Sequence, residues 1–471
     1  FDALQGLTYA ALGDGIDLAE ARHALQQGLH IHNGDPRLHL FIARLDARAE
    51  SYTDALEELA KANRLVEDKM HSTVTFTLKG KSTNKPPLQI QHSEVNLENL
   101  HSEIQIETQR VRAAAGIKLR PEFMMRSRQG EPGRHALFEL TAPSRLEFPN
   151  PWGTLSLQIT PIHLSAGRLV LEGNPDELPF GTVEDGTGER DISAEGVALG
   201  VGYKHRNWQL DLGVTPVNFA RSEVVGGLSC KFTFRDIALI LEASRRAVEE
   251  SVLSFAGVTD PGTGQVWGAV VKQGGALTLR HDGRGTRSYA VLDYNYLTGK
   301  DVKQNHSLTA HLGIRWELRN SISTHLETGI AASAMAFERN LSEFSYGHGG
   351  YFSPQRFVHF GLPINWQGSF QAMTWRLDLE PGVTWFQLDE APYYPLSSSE
   401  IFDPAARYKS RESLGLGVDG VLELSYALTP QISFGSRAEL HTGDDHREIC
   451  AGAYLRFALK GGGGVNQSRE P

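Results

Sequence analysis

Residues 307–318 read SLTAHLGIRWEL, and this stretch decides the fold. Every second residue is apolar: Leu308, Ala310, Leu312, Ile314, Trp316 and Leu318. The residues between them are small, polar or charged, and they include His311, Arg315 and Glu317. Because successive side chains of a strand point to opposite faces of the sheet, the stretch predicts a strand with one apolar face and one polar face.

The same alternation returns through most of the remaining chain, where we count sixteen strand-like segments. They lie at 116–128, 133–142, 153–164, 193–204, 206–215, 222–234, 235–247, 264–281, 285–298, 303–319, 322–339, 354–367, 371–389, 407–428, 430–443 and 446–459. Repeated segments of this kind predict a transmembrane antiparallel β-barrel, in which only alternate residues face lipid. A closed barrel leaves no unpaired strand edge in the bilayer.

The connections between these segments alternate in length. The short ones lie at 149–152, 205–206, 235–236, 282–286, 320–321, 368–370 and 429–430, and the mostly longer ones at 165–192, 216–221, 248–263, 299–302, 340–353 and 390–406. Outer-membrane barrels have short periplasmic turns and long outer loops. Since an even strand count places both barrel ends on one side, the pattern predicts that the N-terminal region and the C-terminal tail face the periplasm.

Composition excludes several classes of protein. The chain has 46 Lys and Arg against 56 Asp and Glu, so no bulk basic field is present to bind nucleic acid. No run of eighteen apolar residues occurs, which argues against transmembrane helices. Phe1 is not a start methionine, and we expect the chain to be a mature or excised C-terminal part of a longer protein.

Residues 1–67 predict periplasmic helical repeats of the tetratricopeptide type. Ala21, Leu25 and Gly28 recur as Ala55, Leu59 and Ala62, which is a period of 34 residues. A generic helical hairpin is the alternative. We further predict a partly helical linker over 68–113, the barrel over 114–460, and a flexible tail over 461–471.

The inward-facing positions of the strands carry nine carboxylates, Glu448 among them, and five arginines in the strands whose phase is clear. We predict as pore-lining residues Asp211, Glu242, Arg246, His311, Arg315, Glu317, Arg376, Asp378, Glu380, Asp419, Glu423, Arg437, Glu439 and Arg456. Interleaved charges of both signs favour a hydrated lumen for a neutral, hydroxyl-rich solute. A closed barrel filled by salt bridges is the alternative, although sixteen strands are wide enough for an aqueous channel.

No catalytic constellation stands out in the sequence. The paired carboxylates are spread over strands of unknown lateral placement, so they do not predict acid–base catalysis. His30 and His32 lie near a repeat loop and are expected to be solvated. We therefore expect no enzyme activity, no cofactor and no metal.

Several motifs resemble a known family. They are VALGVGY (197–203), LDLGVTPVNF (210–219), VVGGLS (224–229), LEASRRAVEESVLSFAG (241–257), DPGTGQVWG (260–268), YLTGKDV (296–302) and FSYGHGGYFSPQR (344–356). Together they resemble the C-terminal region of the outer-membrane cellulose export protein of Gram-negative bacteria, a component of the bacterial cellulose synthase complex. The segment 71–112 carries no part of this resemblance.

The resemblance implies a sixteen-stranded outer-membrane pore that exports β-1,4-glucan, with its N-terminal repeats in the periplasm. It implies as partners the glucan chain, outer-membrane lipid, the inner-membrane cellulose synthase complex and periplasmic components. For the exit loops, we expect either stacking of aromatic residues on sugar rings or packing against neighbouring loops. The exit-loop or gate candidates are Tyr346, His348, Tyr351, Phe352, Arg356, Asp260 and Trp267.

Two further functions stay open at this point. The chain could export another exopolysaccharide, such as partly deacetylated poly-N-acetylglucosamine, because an acidic excess in the lumen would tolerate a partly cationic polymer. It could also be a barrel-anchored periplasmic scaffold whose helical repeats bind partners.

Overall fold

The structure, a computed structural model, describes residues 18–32, 34–49, 51–79, 91–150, 152–172, 178–183, 187–283, 285–321, 323–396, 406–443 and 447–459. Within these ranges, four helices precede the sheet, namely α1 (Leu18–Ile31), α2 (Pro36–Arg48), α3 (Tyr52–Lys79) and α4 (Gln91–Ala115). A short helix, α5 (Val252–Ala256), lies among the loops of the barrel. No helix in these ranges combines the length and the apolar character that crossing a membrane requires.

The N-terminal helices pack through small and apolar residues. Asp35 caps α2 by accepting a hydrogen bond of 3.0 Å from the Arg37 backbone N–H. Ala55 and Ala62 on α3 are fully buried, and Ile104 of α4 packs against the same cluster. Helix α3 runs without a break past residue 67, where the sequence predicted a domain limit. That these helices are tetratricopeptide repeats, and where the domains end, stay predictions.

The sheet consists of sixteen barrel strands. They are β1 (Lys118–Arg128), β2 (Leu137–Thr141 and Ser144–Asn150), β3 (Gly153–Glu172), β4 (Thr187–Lys204), β5 (Trp208–Val217), β6 (Val224–Phe234), β7 (Ile237–Ala247), β8 (Val266–Gly283), β9 (Thr286–Lys300), β10 (Val302–Asn320), β11 (Thr324–Phe337), β12 (Arg356–Gly361 and Ile364–Phe370), β13 (Met373–Leu388), β14 (Arg411–Thr429), β15 (Ile432–Thr442) and β16 (Arg447–Ala458). Short strands Val258–Thr259, Ala391–Pro392 and Arg407–Tyr408 lie in the loops.

Each barrel strand pairs antiparallel with the next one, and β1 pairs with β16. The closing register runs from Lys118 opposite Ala458 to Arg128 opposite Glu448. Strands β2 and β12 are interrupted at Pro143 and Pro363, because proline has no backbone N–H for the ladder. The predicted closed barrel of sixteen antiparallel strands is confirmed.

Strands β3 and β4 are longer than the sequence predicted. The prediction of a loop over 165–192 is wrong at both ends, because β3 continues to Glu172 and β4 begins at Thr187. The register between these strands shifts between Ser165 and Gly167, which indicates a β-bulge. A bulge adds one residue to a strand and so breaks the alternation on which the prediction depends.

The outer face of the barrel is apolar. Leu308, Leu312 and Ile314 on β10 are between 46% and 57% exposed, although they are large hydrophobic residues. Trp316 and Trp366 are also exposed, and both lie near the ends of their strands at the short turns. A continuous apolar outer band with aromatic residues at its edge is the surface that a barrel presents to lipid.

Candidate functional site: the barrel lumen and its outer mouth

All fourteen predicted pore-lining residues lie at positions that alternate with the exposed apolar residues of their strands. Their side chains therefore face the barrel interior. They are Asp211 on β5, Glu242 and Arg246 on β7, His311, Arg315 and Glu317 on β10, Arg376, Asp378 and Glu380 on β13, Asp419 and Glu423 on β14, Arg437 and Glu439 on β15, and Arg456 on β16. That they line a conducting pore stays a prediction.

Several of these side chains neutralise one another. Arg246 makes two hydrogen bonds to the Asp211 carboxylate across the intervening strand β6, one of them 2.8 Å long. Gly227 lies between the two, and any Cβ atom there would come within 2.6 Å of the guanidinium. Arg376 likewise pairs with Asp378 at 2.6 Å. The inner wall is thus built from paired charges and presents no single-sign field.

Other predicted pore-lining residues contact neutral or aromatic partners. The ring of His311 lies 2.7 Å from the Ser333 hydroxyl, and the Tyr454 hydroxyl donates to Glu423 at 2.9 Å. The guanidinium of Arg315 lies 5.7 Å from the centre of the Tyr289 ring. The contacts of His311 and Arg315 join neighbouring strands along the inner wall, and the contact between Tyr454 and Glu423 spans β15.

The sequence-based prediction missed inward-facing charges on β1. Arg126 and Arg128 face the interior and pair with Glu139 and Glu448 at 2.7 Å and 2.8 Å. From Lys118 to Arg128, every second residue of β1 is charged except Met124, and the residues between them are mostly apolar. That alternation was sufficient to find both arginines.

The outer half of the interior contains an apolar cluster, which we call the mouth cluster. It consists of Leu137, Ile162, Leu164, Ala166, Leu169, Phe180, Ile192, Phe219, Val248, Val252, Leu253, Phe255, Ala256, Val258, Trp267, Val270, Leu297, Val302, Leu341, Phe344 and Tyr351. Its members come from inward-facing strand positions, such as Leu164 and Leu297, and from loops that fold inward over the mouth, including α5. The wall therefore changes from polar to apolar toward its outer end.

The gate candidates lie in or beside the mouth cluster, where they contact protein. Trp267 is fully buried, with ring centres 5.6 Å from Phe180 and 5.8 Å from Tyr346. Tyr351 is also buried, and its hydroxyl accepts from the Asn305 side chain at 3.2 Å. Of the two alternatives that stayed open for the exit loop, the burial of Tyr351 fits packing against neighbouring loops. The burial of Trp267 and Tyr351 leaves no ring face exposed.

Asp260 and Phe352 hold the loops to one another. The Asp260 carboxylate accepts hydrogen bonds from the backbone and the hydroxyl of Thr182, at 2.8 Å and 2.7 Å. The Phe352 backbone N–H donates to the Glu250 carboxylate at 2.7 Å. Arg356 remains exposed, with a side-chain contact of 3.4 Å to Gln387.

The loop that follows β7 reaches the far wall of the barrel. Arg126 on β1 donates to the Glu249 carbonyl at 2.7 Å, and Arg128 donates to the Glu250 carbonyl at 2.6 Å. Strand β1 is six strands away from β7 in the closed sheet. This segment therefore crosses the mouth and narrows it.

His348 is a buried titratable group that links two outer loops. Its Nε2 lies 3.0 Å from the Pro392 carbonyl oxygen, and its ring packs edge-on against Tyr408 at 5.4 Å. Burial lowers the pKa of His348 from 6.5 to about 4. The imidazole is therefore neutral in the packed loops at physiological pH.

We predict that acid loosens these loops through His348. An unfolded loop binds a proton below pH 6.5 and the packed loop does so only below about pH 4, so the packing loses about 3 kcal/mol as the pH falls through this window. Hydrogen exchange of residues 344–352, corrected for intrinsic rates, should rise between about pH 7 and about pH 5.

The variant His348→Gln, which keeps a donor for the Pro392 carbonyl, should remove that rise. Burial raises the pKa of Glu343, whose protonation stabilises the packed loop as the pH falls, so the comparison with the variant isolates the histidine. An equal rise in both proteins would contradict the assignment.

Comparison with known proteins identifies relatives of this barrel. The profile of the family "Cellulose synthase operon protein C C-terminus" matches residues 135–460. The cellulose synthase operon protein C of Pseudomonas fluorescens (strain SBW25) is 33% identical over 342 residues, which cover 71% of this chain and 26% of that protein. The protein of the same name from Xanthomonas axonopodis pv. citri (strain 306) is 32% identical, over 58% of this chain and 20% of that protein.

The Escherichia coli (strain K12) cellulose synthase operon protein C is 28% identical, over 59% of this chain and 25% of that protein. The chain thus spans about a quarter of the length of these relatives. Among solved structures, one described as "Bacterial polysaccharide outer membrane secretin" is similar with a TM-score of 0.46 and 9% identity, covering 73% of this chain and 99% of that chain.

Proposed function

The chain belongs to the family of the cellulose synthase operon protein C C-terminus, and from this premise we propose that its barrel is an outer-membrane channel that exports cellulose. The exported solute is a neutral β-1,4-glucan chain that passes from the periplasm to the cell surface. The chain itself performs no chemistry on the polymer. The names of the relatives connect this barrel with cellulose.

The observation that carries the proposal is the contrast between the two faces of the closed barrel. The outer face is a band of exposed leucine, isoleucine and aromatic side chains, whereas the inner face carries paired charges such as Asp211 and Arg246. A wall of neutralised donors and acceptors offers many weak hydrogen bonds to hydroxyl groups and no tight site. A polymer that must slide needs this kind of surface.

The position of the helices supports delivery from the periplasm. Arg206, in the short turn between β4 and β5, donates to the Ser51 hydroxyl at 2.5 Å, and the Lys118 ammonium lies 5.7 Å from the Tyr52 ring. The helices thus adjoin the barrel edge with short turns, which is the periplasmic edge in outer-membrane barrels. We propose that the helical region connects the channel to periplasmic components and to the inner-membrane cellulose synthase.

Two alternatives make different predictions. A channel for partly deacetylated poly-N-acetylglucosamine would use unpaired carboxylates to attract a cationic polymer, whereas several carboxylates of this inner wall are paired with arginine. A barrel that serves only as an anchor for a scaffold would not need an open lumen. Narrowing the lumen therefore separates an exporter from an anchor.

The test narrows the lumen in the full-length protein expressed in cellulose-producing cells. Thr309→Trp combined with Thr374→Trp adds bulk at two inward-facing positions, and Leu308→Trp combined with Leu424→Trp adds it on the outer face. We expect glucan to accumulate in the periplasm with the first pair and to reach the surface with the second. Normal glucan export by both variants, at equal protein levels, would contradict the proposed export function.

A further inference from the structure

A cavity of about 440 Å³ lies between helix α3 and the inner wall of strands β3 to β6. Its volume falls within the ~300–1,000 Å³ of small-molecule sites. Tyr52 of α3 forms one side, and Lys204 and Gln209, which flank the short turn between β4 and β5, lie at its periplasmic end. Residues of the helical region and of the barrel lumen thus line the same cavity.

Part of the strand side of this cavity is bare backbone. Gly200 and Gly202 on β4 and Gly213 on β5 face the interior there, next to Ala198. At Gly200 an added Cβ atom would meet only the Leu212 carbonyl oxygen, at 3.8 Å, and would otherwise point into open space. A flat molecule can therefore approach the sheet backbone closely along this wall.

A second cavity, of about 500 Å³, lies at the opposite wall of the lumen, and its lining includes the charged residues Arg376, Glu423 and Arg456. Eight strands away from β4, the inner face of β12 and β13 carries Asn365, Asp378 and Arg376, which hydrogen-bond to one another. Farther along, Arg437 pairs with Glu439 on β15. The β3–β6 cavity differs from this second cavity in the inward-facing glycines that line it.

The polar groups around the cavity suit a neutral polyol. The Gln158 amide and the Ser156 hydroxyl lie on β3, and Arg145 contacts Ser156 at 3.2 Å. Arg246 lines the same space with its charge already paired to Asp211. Hydroxyl groups can donate to and accept from such groups, whereas a charged ligand would find its counter-ions occupied.

We propose that this cavity is the intake site of the channel, where a short segment of a neutral β-linked glucan lies flat on the glycine wall. The inference depends on the proposed export function. Tyr52 contacts a sugar unit at the edge of the barrel, and Gln158 and Gln209 bind its equatorial hydroxyl groups. The polymer then passes along β3–β6 and does not move across the lumen to the other strands.

The test measures binding of cellohexaose to the purified chain in detergent by calorimetry. Gly200→Trp should fill the cavity and weaken binding about tenfold or more, and Tyr52→Leu, which keeps the apolar packing of α3, should weaken it about threefold. The control Gln367→Trp adds the same ring to the opposite wall, on β12, and should change the affinity by less than about twofold. Circular dichroism and heat-modified gel mobility confirm that each barrel is folded.

Three results would overturn the intake site: wild-type affinity in Gly200→Trp, an equal loss in Gln367→Trp, or no binding of cellohexaose to the wild-type chain. Glucan secretion by cells that carry the wild-type full-length protein is measured in parallel. If these cells secrete glucan but the variants do not bind cellohexaose as expected, only the intake site is contradicted. If cells with the wild-type protein secrete no glucan through it, both the export function and the intake site are contradicted.

Discussion

Replacing Leu312 by arginine should strongly destabilise the barrel in lipid bilayers. Leu312 lies near the middle of β10 on the outer face and is 57% exposed. If that face contacts acyl chains, an arginine near the bilayer midplane costs about 2–4 kcal/mol, which is a large part of the stability of a marginally stable protein. The measurement is the folded fraction in lipid vesicles across a urea titration.

The matched control is Thr309→Arg on the same strand. Thr309 faces the interior and lies opposite Asp293 on β9, so the new guanidinium has water and a carboxylate within reach. We expect this variant to fold with a urea midpoint close to that of the wild type. If Leu312→Arg inserts as well as Thr309→Arg does, the outer face is not a lipid surface.

Deleting residues 340–353 should increase the ion conductance of the reconstituted chain severalfold. This loop supplies Leu341, Phe344 and Tyr351 to the mouth cluster and binds the loop after β7 through the Ser251 hydroxyl, which donates to the Gly350 carbonyl at 2.7 Å. Removing it takes buried apolar contacts away from the segment that crosses the mouth. Loss of such contacts lowers the free energy needed for local opening.

The control replaces the same residues with an equally long glycine and serine segment. Because that segment cannot pack into the mouth cluster, the conductance should rise in this variant as well. That result would show that apolar packing, and not the length of the loop, closes the mouth of the barrel. Planar bilayer recordings give both values. Wild-type conductance in the deletion variant would remove the loop as a gate.

The alternation of apolar and polar residues was sufficient to predict the barrel. In β10 and β13 the outward residues are mostly large and apolar while the inward ones are mostly small, polar or charged, so two-residue periodicity is unambiguous. The inward position of Asp211 and Arg246 follows from the same phase. Their mutual contact does not, because it spans β6 and depends on Gly227, a lateral relationship that no local pattern contains.

The outer mouth was harder to predict for a physical reason. Leu164 and Leu169 both face inward because the bulge at Ser165–Gly167 resets the phase of β3. Trp267 precedes an apolar run, so its sequence neighbours do not distinguish a solvated gate from a buried core. The inward folding of the loops is a tertiary contact that creates a second, protein-packed environment inside the barrel.

The export channel is tested most directly by the ion conductance of the chain lacking 340–353 in a planar bilayer, recorded before and after cellohexaose is added to the side of the short turns. We expect a steady conductance that falls as the oligosaccharide enters the lumen, because ions and oligosaccharide use one water-filled path through the barrel. A membrane that stays insulating with this folded barrel inserted, or a conductance that cellohexaose at high concentration leaves unchanged, would contradict the export channel.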